Sequence, residues 1–114
     1  MSSTVPGAQR LRRTDVQEDD LSVPGRQVIQ NRVDINPAAP LFRGKHPGEE
    51  IIYVLEGSLQ YDIDGEPPTR VSASEGLMVP ADNVHAVKNI GTGNAAELAT
   101  YIVETGKPFL VAVD

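Results

Sequence analysis

There is no cysteine among the 114 residues, so disulfide staples, zinc-ribbon sites, thioredoxin-like sites and Cys-nucleophile chemistry are excluded together. Histidine occurs only twice, and ten basic residues face sixteen acidic ones. The net charge of −6 argues against nucleic acid or an anionic membrane surface as a partner. No apolar run approaches the ~18 residues of a membrane span, and the opening MSSTVPGAQR lacks an apolar core of signal-peptide length. A soluble, cytoplasmic protein is the expectation. The one local basic cluster, Arg10, Arg12 and Arg13, is followed at once by Asp15, Glu18, Asp19 and Asp20. It therefore reads as a solvated arm. Amphipathic periodicity near 3.6 nowhere persists for three turns, which limits helix to one short piece within residues 13 to 20.

What is present is a strand pattern. The length suits one domain with one core, with residues 1–10 a disordered tail too poor in apolar area to offset its ordering entropy and residues 11–114 the folded unit. From Gln27 to Ile35, Ile29, Val33 and Ile35 share one parity while Gln30, Arg32 and Asp34 take the other, and Asn36-Pro37 stops the run. The run IIYVL, residues 51–55, reads as a buried strand closed by Glu56-Gly57-Ser58. Ser58 to Asp64 alternates cleanly before the turn Asp64-Gly65. Further strands are expected at Leu77–Val79, Val84–Ile90, Glu97–Glu104 and Phe109–Val113, with turn residues between them. Seven or eight short strands of this kind indicate an antiparallel sandwich or small barrel.

Both histidines and one carboxylate stand out as candidate chemistry. His46 sits in a Pro-Gly turn four residues before Glu50, which opens the IIYVL strand, and His85 lies far along the chain. Two imidazoles and a carboxylate are ordinary ligands for a divalent first-row metal. On the residues alone, a turn His and a strand His satisfied by ordinary hydrogen bonds is the favoured reading. Tyr53, Tyr61, Tyr101, Phe42 and Phe109 are the only aromatics and are assigned to core or rim packing. Met78 is expected to line the barrel, Asn89 to satisfy a turn through its amide, and Asp82 to form a turn.

Two separated motifs carry a resemblance to the cupin superfamily over residues 27 to 113. The first runs His46, Pro47-Gly48-Glu49, Glu50, then six residues to Gly57, within the phrase PGEEIIYVLEGSL; the second runs from Pro80 through His85 to Asn89. The resemblance implies an all-β, antiparallel double-stranded β-helix of jelly-roll type with little or no helix. It also implies a shared site in which His46, Glu50 and His85 hold a divalent transition metal (Fe, Mn, Ni or Zn), with Glu50 and His85 catalytic. The chain departs from the pattern at Gly44, where the first metal-binding His should stand. The motif glycines fall instead on Ala38, Ser74 and Asp82. The resemblance implies a small-molecule substrate and dioxygenase-like oxidoreductase, isomerase or lyase chemistry, or a metal-free binding or sensing module. A homodimer is expected from the family's habit and from the apolar end PFLVAV.

Overall fold

The computed structural model describes residues 11–39 and 42–113; the expected tail over residues 1–10 lies outside them. Ten strands follow in order: β1 (Leu11–Asp20), β2 (Arg26–Ile35), β3 (Phe42–Lys45), β4 (Gly48–Glu56), β5 (Ser58–Ile63), β6 (Thr69–Ser72), β7 (Gly76–Val79), β8 (His85–Asn89), β9 (Ala95–Glu104) and β10 (Val111–Ala112). They form two five-stranded antiparallel sheets, ordered β1-β2-β9-β4-β7 and β10-β3-β8-β5-β6. No helix occurs among the described residues, none long and apolar enough to cross a membrane included. The all-β double-stranded β-helix expected from the motifs is the architecture found.

The core lies between the two sheets. Alternation places Val33 and Ile35 of β2, Ile52 and Val54 of β4, Leu59, Tyr61 and Ile63 of β5, and Ala99, Tyr101 and Val103 of β9 in one buried cluster. Each fully buried aliphatic side chain there contributes on the order of 1.5–3 kcal/mol by leaving water.

Residues 13 to 20, the one place where the sequence allows a short helix, are strand, because the whole of Leu11–Asp20 pairs with β2 in register, with a bulge between Asp15 and Gln17. A polar segment with no helical stripe has no core-facing helix to form, and strand pairing decides its conformation. Two expectations are corrected. The IIYVL run is buried on one face only: Ile52 and Val54 point inward, while Ile51, Tyr53 and Leu55 are exposed. Met78, the register partner of Ile51, is 56% exposed and lines no barrel. An apolar outer face on a strand looks, in sequence, the same as burial on both faces.

Turn chemistry supports the roles expected of Asn89 and Asp82. Asn89 donates through Nδ2 to the carbonyls of Ile35 and Gly93, each at 2.8 Å, and its Oδ1 accepts from Gly91 N at 2.8 Å. Ser74 and Asp82, which stand where the motif carries glycine, are the two non-glycine residues with positive φ among those described, at 74° and 60°. Both hold the left-handed backbone that glycine adopts without strain.

Candidate metal centre

The turn that carries His46 is pinned on both sides. The His46 carbonyl accepts from Asp82 N at 2.9 Å, and the Pro47 carbonyl accepts from Glu104 N at 3.3 Å. Gly48 packs so tightly on β9 that a Cβ there would come within 1.7 Å of the Ile102 carbonyl oxygen. Only a residue without a side chain lets β4 start at this point. The turn therefore folds His46 back over Glu50, which leads the inward-facing set Glu50, Ile52 and Val54. His85 opens β8 in the other sheet, opposite Ile63 on one side and Gly44 on the other.

All three side chains are buried, and their ligand atoms lie within 4.8 Å of one another. Glu50 Oε1 is 3.2 Å from His46 Nε2 and 3.1 Å from His85 Nε2. Each Nδ1 meets a backbone carbonyl, that of Phe109 for His46 and that of Asn83 for His85. A carbonyl only accepts, so both Nδ1 atoms carry hydrogen and, in the neutral rings, both Nε2 lone pairs face the carboxylate. Neither Nε2 contact has hydrogen-bond geometry, and Glu50 Oε1 is a buried oxygen without a hydrogen-bond partner. Three lone-pair donors thus converge on a common point rather than bonding one another, the arrangement a cation completes.

Electrostatics inside the barrel are uneven. Burial raises the Glu50 carboxyl, but with Nε2–H donors and positive charge on His46 and His85, the protonated alternative to a bound cation, their hydrogen bonds and charge outweigh burial and hold it at about 2. Burial lowers His85, yet Glu50 and the Asn83 carbonyl prevail and raise it. Glu97, 2% exposed on β9, is pushed up to about 8 by burial and then by the charge of Glu50. The Tyr61 hydroxyl donates to Glu97 Oε1 at 2.5 Å. Tyr61 and Tyr101 are themselves raised, chiefly by burial. Arg13 reaches in from β1, with Nη1 donating to the Tyr101 hydroxyl at 2.8 Å. Arg13, Glu97, both tyrosines and the three ligand residues line one partly open cavity. It offers about 30 Å³ to the centres of water molecules, room for about two.

Residues 31–109 match the family model described as a cupin domain. The protein is a cupin. It is 38% identical over 82 residues to a polyketide synthase, CurC, of Streptomyces cyaneus, a match covering 70% of this chain and 52% of that protein; the cupin spans about half the length of this curated relative. A structure from Klebsiella pneumoniae, an uncharacterised protein with a double-stranded β-helix domain, aligns with a TM-score of 0.72 at 15% identity, over 96% of this chain and 84% of its own. An oxalate oxidase in complex with the substrate analogue glycolate aligns with a TM-score of 0.72 at 25% identity, over 97% of this chain and 57% of its own.

All three ligand residues named from the sequence are brought together, and Gly44 faces His85 directly across the β3–β8 pair. Opposed residues of an antiparallel pair project from the same face, so the position without a side chain borders the same cavity. Glu97 and Tyr101 were not marked as site residues by any motif. A signal existed for Glu97: it shares the parity of Ala95, Ala99, Tyr101 and Val103, which puts a carboxylate on the apolar face of a strand. Arg13, expected on a solvated arm, is instead a wall of the cavity.

Proposed function

We propose that this cupin is a metal-dependent enzyme acting on a small organic molecule, or on the reacting end of a larger one, that presents two oxygen donors. The 1,3-dicarbonyl segment of a polyketide is such a group, and the likeness to the polyketide synthase CurC supports it. The observation that carries the reading is the orphaned Glu50 Oε1 between two Nε2 atoms whose rings are fixed by backbone carbonyls. His46, Glu50 and His85 would hold Fe, Mn, Ni or Zn, and the metal would supply Lewis-acid polarisation or, for a redox-active ion, dioxygenase-like oxidation.

The chain's own groups set the rest. Gly44 leaves a fourth ligand position without a side chain, which suits a ligand that brings two oxygens of its own. The narrow cavity admits the reacting atoms and little water, which strengthens every charge interaction inside. Glu50, engaged with the metal, is not free to act as a base, so for isomerase or lyase chemistry the best placed proton-transfer group is Glu97. Its value of about 8 lets it hold a proton near neutrality and release it when a base is needed. The working form is a cytoplasmic homodimer joined through the apolar outer face of Ile51, Tyr53, Leu55 and Met78, and light scattering should give twice 12.3 kDa.

One set of observations favours a second reading, a metal-free binding module: the raised His85 beside the depressed Glu50 also describes an imidazolium–carboxylate pair. Metal analysis of protein purified without chelators, followed by titration with Fe(II), Mn(II), Ni(II) and Zn(II), separates the two. Near-stoichiometric metal, or a dissociation constant in the micromolar range or below, supports the enzyme. Absence of metal with no binding at millimolar concentration leaves the module.

A further inference from the structure

We propose that Arg13 and Tyr101 form an anion-recognition wall of the cavity, selecting a ligand with an anionic oxygen, a carboxylate or an enolate. The inference rests on the metal-centre reading for the ligand's second contact, but its own evidence is the state of these two side chains.

Arg13 lies on an edge strand whose residues are mostly exposed and polar, and it stands in register with the buried Val33. Only Nη1 is engaged, with the Tyr101 hydroxyl at 2.8 Å and more weakly with Asn31 Oδ1 at 3.5 Å. The guanidinium carbon sits 6.0 Å from the Tyr101 ring centroid and 5.7 Å from that of Phe109, so two aromatic rings fix its position. Five donors in a rigid fork are available to arginine. Those on Nε and Nη2 have no protein partner among the described residues, and no carboxylate there lies within ion-pair distance of Arg13. The Tyr101 hydroxyl accepts from Arg13, which leaves its own hydrogen without an acceptor among the described residues.

A half-buried cation and a buried hydroxyl thus face one cavity with donors unspent, available to water or, with more gain, to an anionic oxygen that takes them together. The Tyr101 ring also packs 4.6 Å from the His46 ring, which ties this wall to the metal ligands. Charge points the same way. A divalent ion with Glu50 as its one anionic ligand leaves one positive charge, and Arg13 adds another, so the cavity favours an anion although the protein as a whole is acidic. A carboxylate or enolate oxygen can take the planar guanidinium fork and the tyrosine proton together.

Binding, read by calorimetry, tests this without any assay of turnover. Malonate probes the carboxylate source, acetylacetone at pH 8 the enolate source, and malonamide serves as the neutral comparison, each against zinc-loaded and metal-free protein. Arg13→Gln and Tyr101→Phe are compared with the wild type, and Arg13→Lys keeps the charge while removing the fork in case the glutamine variant fails to fold. Expected is a loss of at least tenfold in affinity for malonate or acetylacetone in Arg13→Gln and at least threefold in Tyr101→Phe and Arg13→Lys. Zinc affinity should stay within threefold, and malonamide should bind weakly and indifferently to all. Whichever anion shows the dependence identifies the source. Failure of zinc to bind at all overturns the metal reading, while Arg13-dependent anion binding to metal-free protein would still uphold the wall. Folded variants that bind both anions as the wild type does, or a wild type that binds neither anion more tightly than malonamide, overturn it.

Discussion

Replacing Glu97 by glutamine should make the protein more stable at pH 8 and leave it nearly unchanged at pH 5. Glu97 is buried, takes the Tyr61 hydroxyl as a donor and sits at about 8, against an ordinary value of 4.5. A group whose value is raised on folding stabilises the native state fully below its unfolded value, and that stability is lost as pH rises through the folded value. The window is therefore pH 4.5 to 8, where the native chain binds the extra proton and each unit of pH lowers stability by up to about 1.4 kcal/mol. From pH 5 to 8 the ceiling is on the order of 4 kcal/mol, and coupling to Glu50 and Arg13 should roughly halve it. For a chain of this size that corresponds to a Tm gap of roughly 5–15 °C. Glutamine keeps the shape and the acceptor for Tyr61 but cannot ionise. Thermal unfolding of both proteins at half-unit steps from pH 5 to 8 gives the difference curve, in which titrations common to both cancel. A gap that stays constant across that range would show Glu97 to be ionised throughout and held by Arg13, and the reasoning would fail.

Other outcomes follow from the turns and the ligand set. Gly44→His should supply a fourth ligand and tighten zinc binding at least tenfold if the added imidazole contributes even ~1.5 kcal/mol, whereas His85→Ala should abolish it; unchanged affinity in the first and intact binding in the second would show that these residues do not form the metal site. Gly48→Ala forces a Cβ onto the Ile102 carbonyl and should cost about 3 kcal/mol or more, seen as a large fall in the urea midpoint. Ser74→Gly relieves a side chain held at φ 74°, a gain of roughly 1–2 kcal/mol reduced by about 0.5–1 kcal/mol of extra unfolded-chain entropy. Its Tm should rise by a few degrees, and a fall would mean that the strain is not there.

Much of the fold was legible because a strand buried on one face writes itself as alternation. Gln27–Ile35 and Ser58–Asp64 show it, and the turns between strands are marked by Gly, Pro, Asn and Asp, which favour turn geometry. The cluster of His46, Glu50 and His85 was legible because two motifs fix their spacing to the turns that hold them. β1 was not, since its pairing depends on β2 and its own residues are polar. Nor was the outer face of IIYVL, where hydrophobicity alone does not say which side is covered. Arg13 was hidden by its neighbours: a charge count over residues 10 to 20 averages away the one arginine whose parity with Leu11 turns it inward.

The site and the buried Glu97–Tyr61 pair share a feature with a mechanical consequence. Glu50 and Glu97 belong to one sheet, and His85 and Tyr61 belong to the other. Apolar side chains between two sheets resist separation but are largely indifferent to small sliding, whereas polar contacts have direction and hold only at one offset. The Tyr61–Glu97 hydrogen bond is such a contact and acts as a dowel, fixing the sheets in translation as well as in spacing. A cation or ligand gripped from both sides would tighten that alignment, so occupancy should appear as slower amide exchange in β4 and β8 together, even though the two strands never pair.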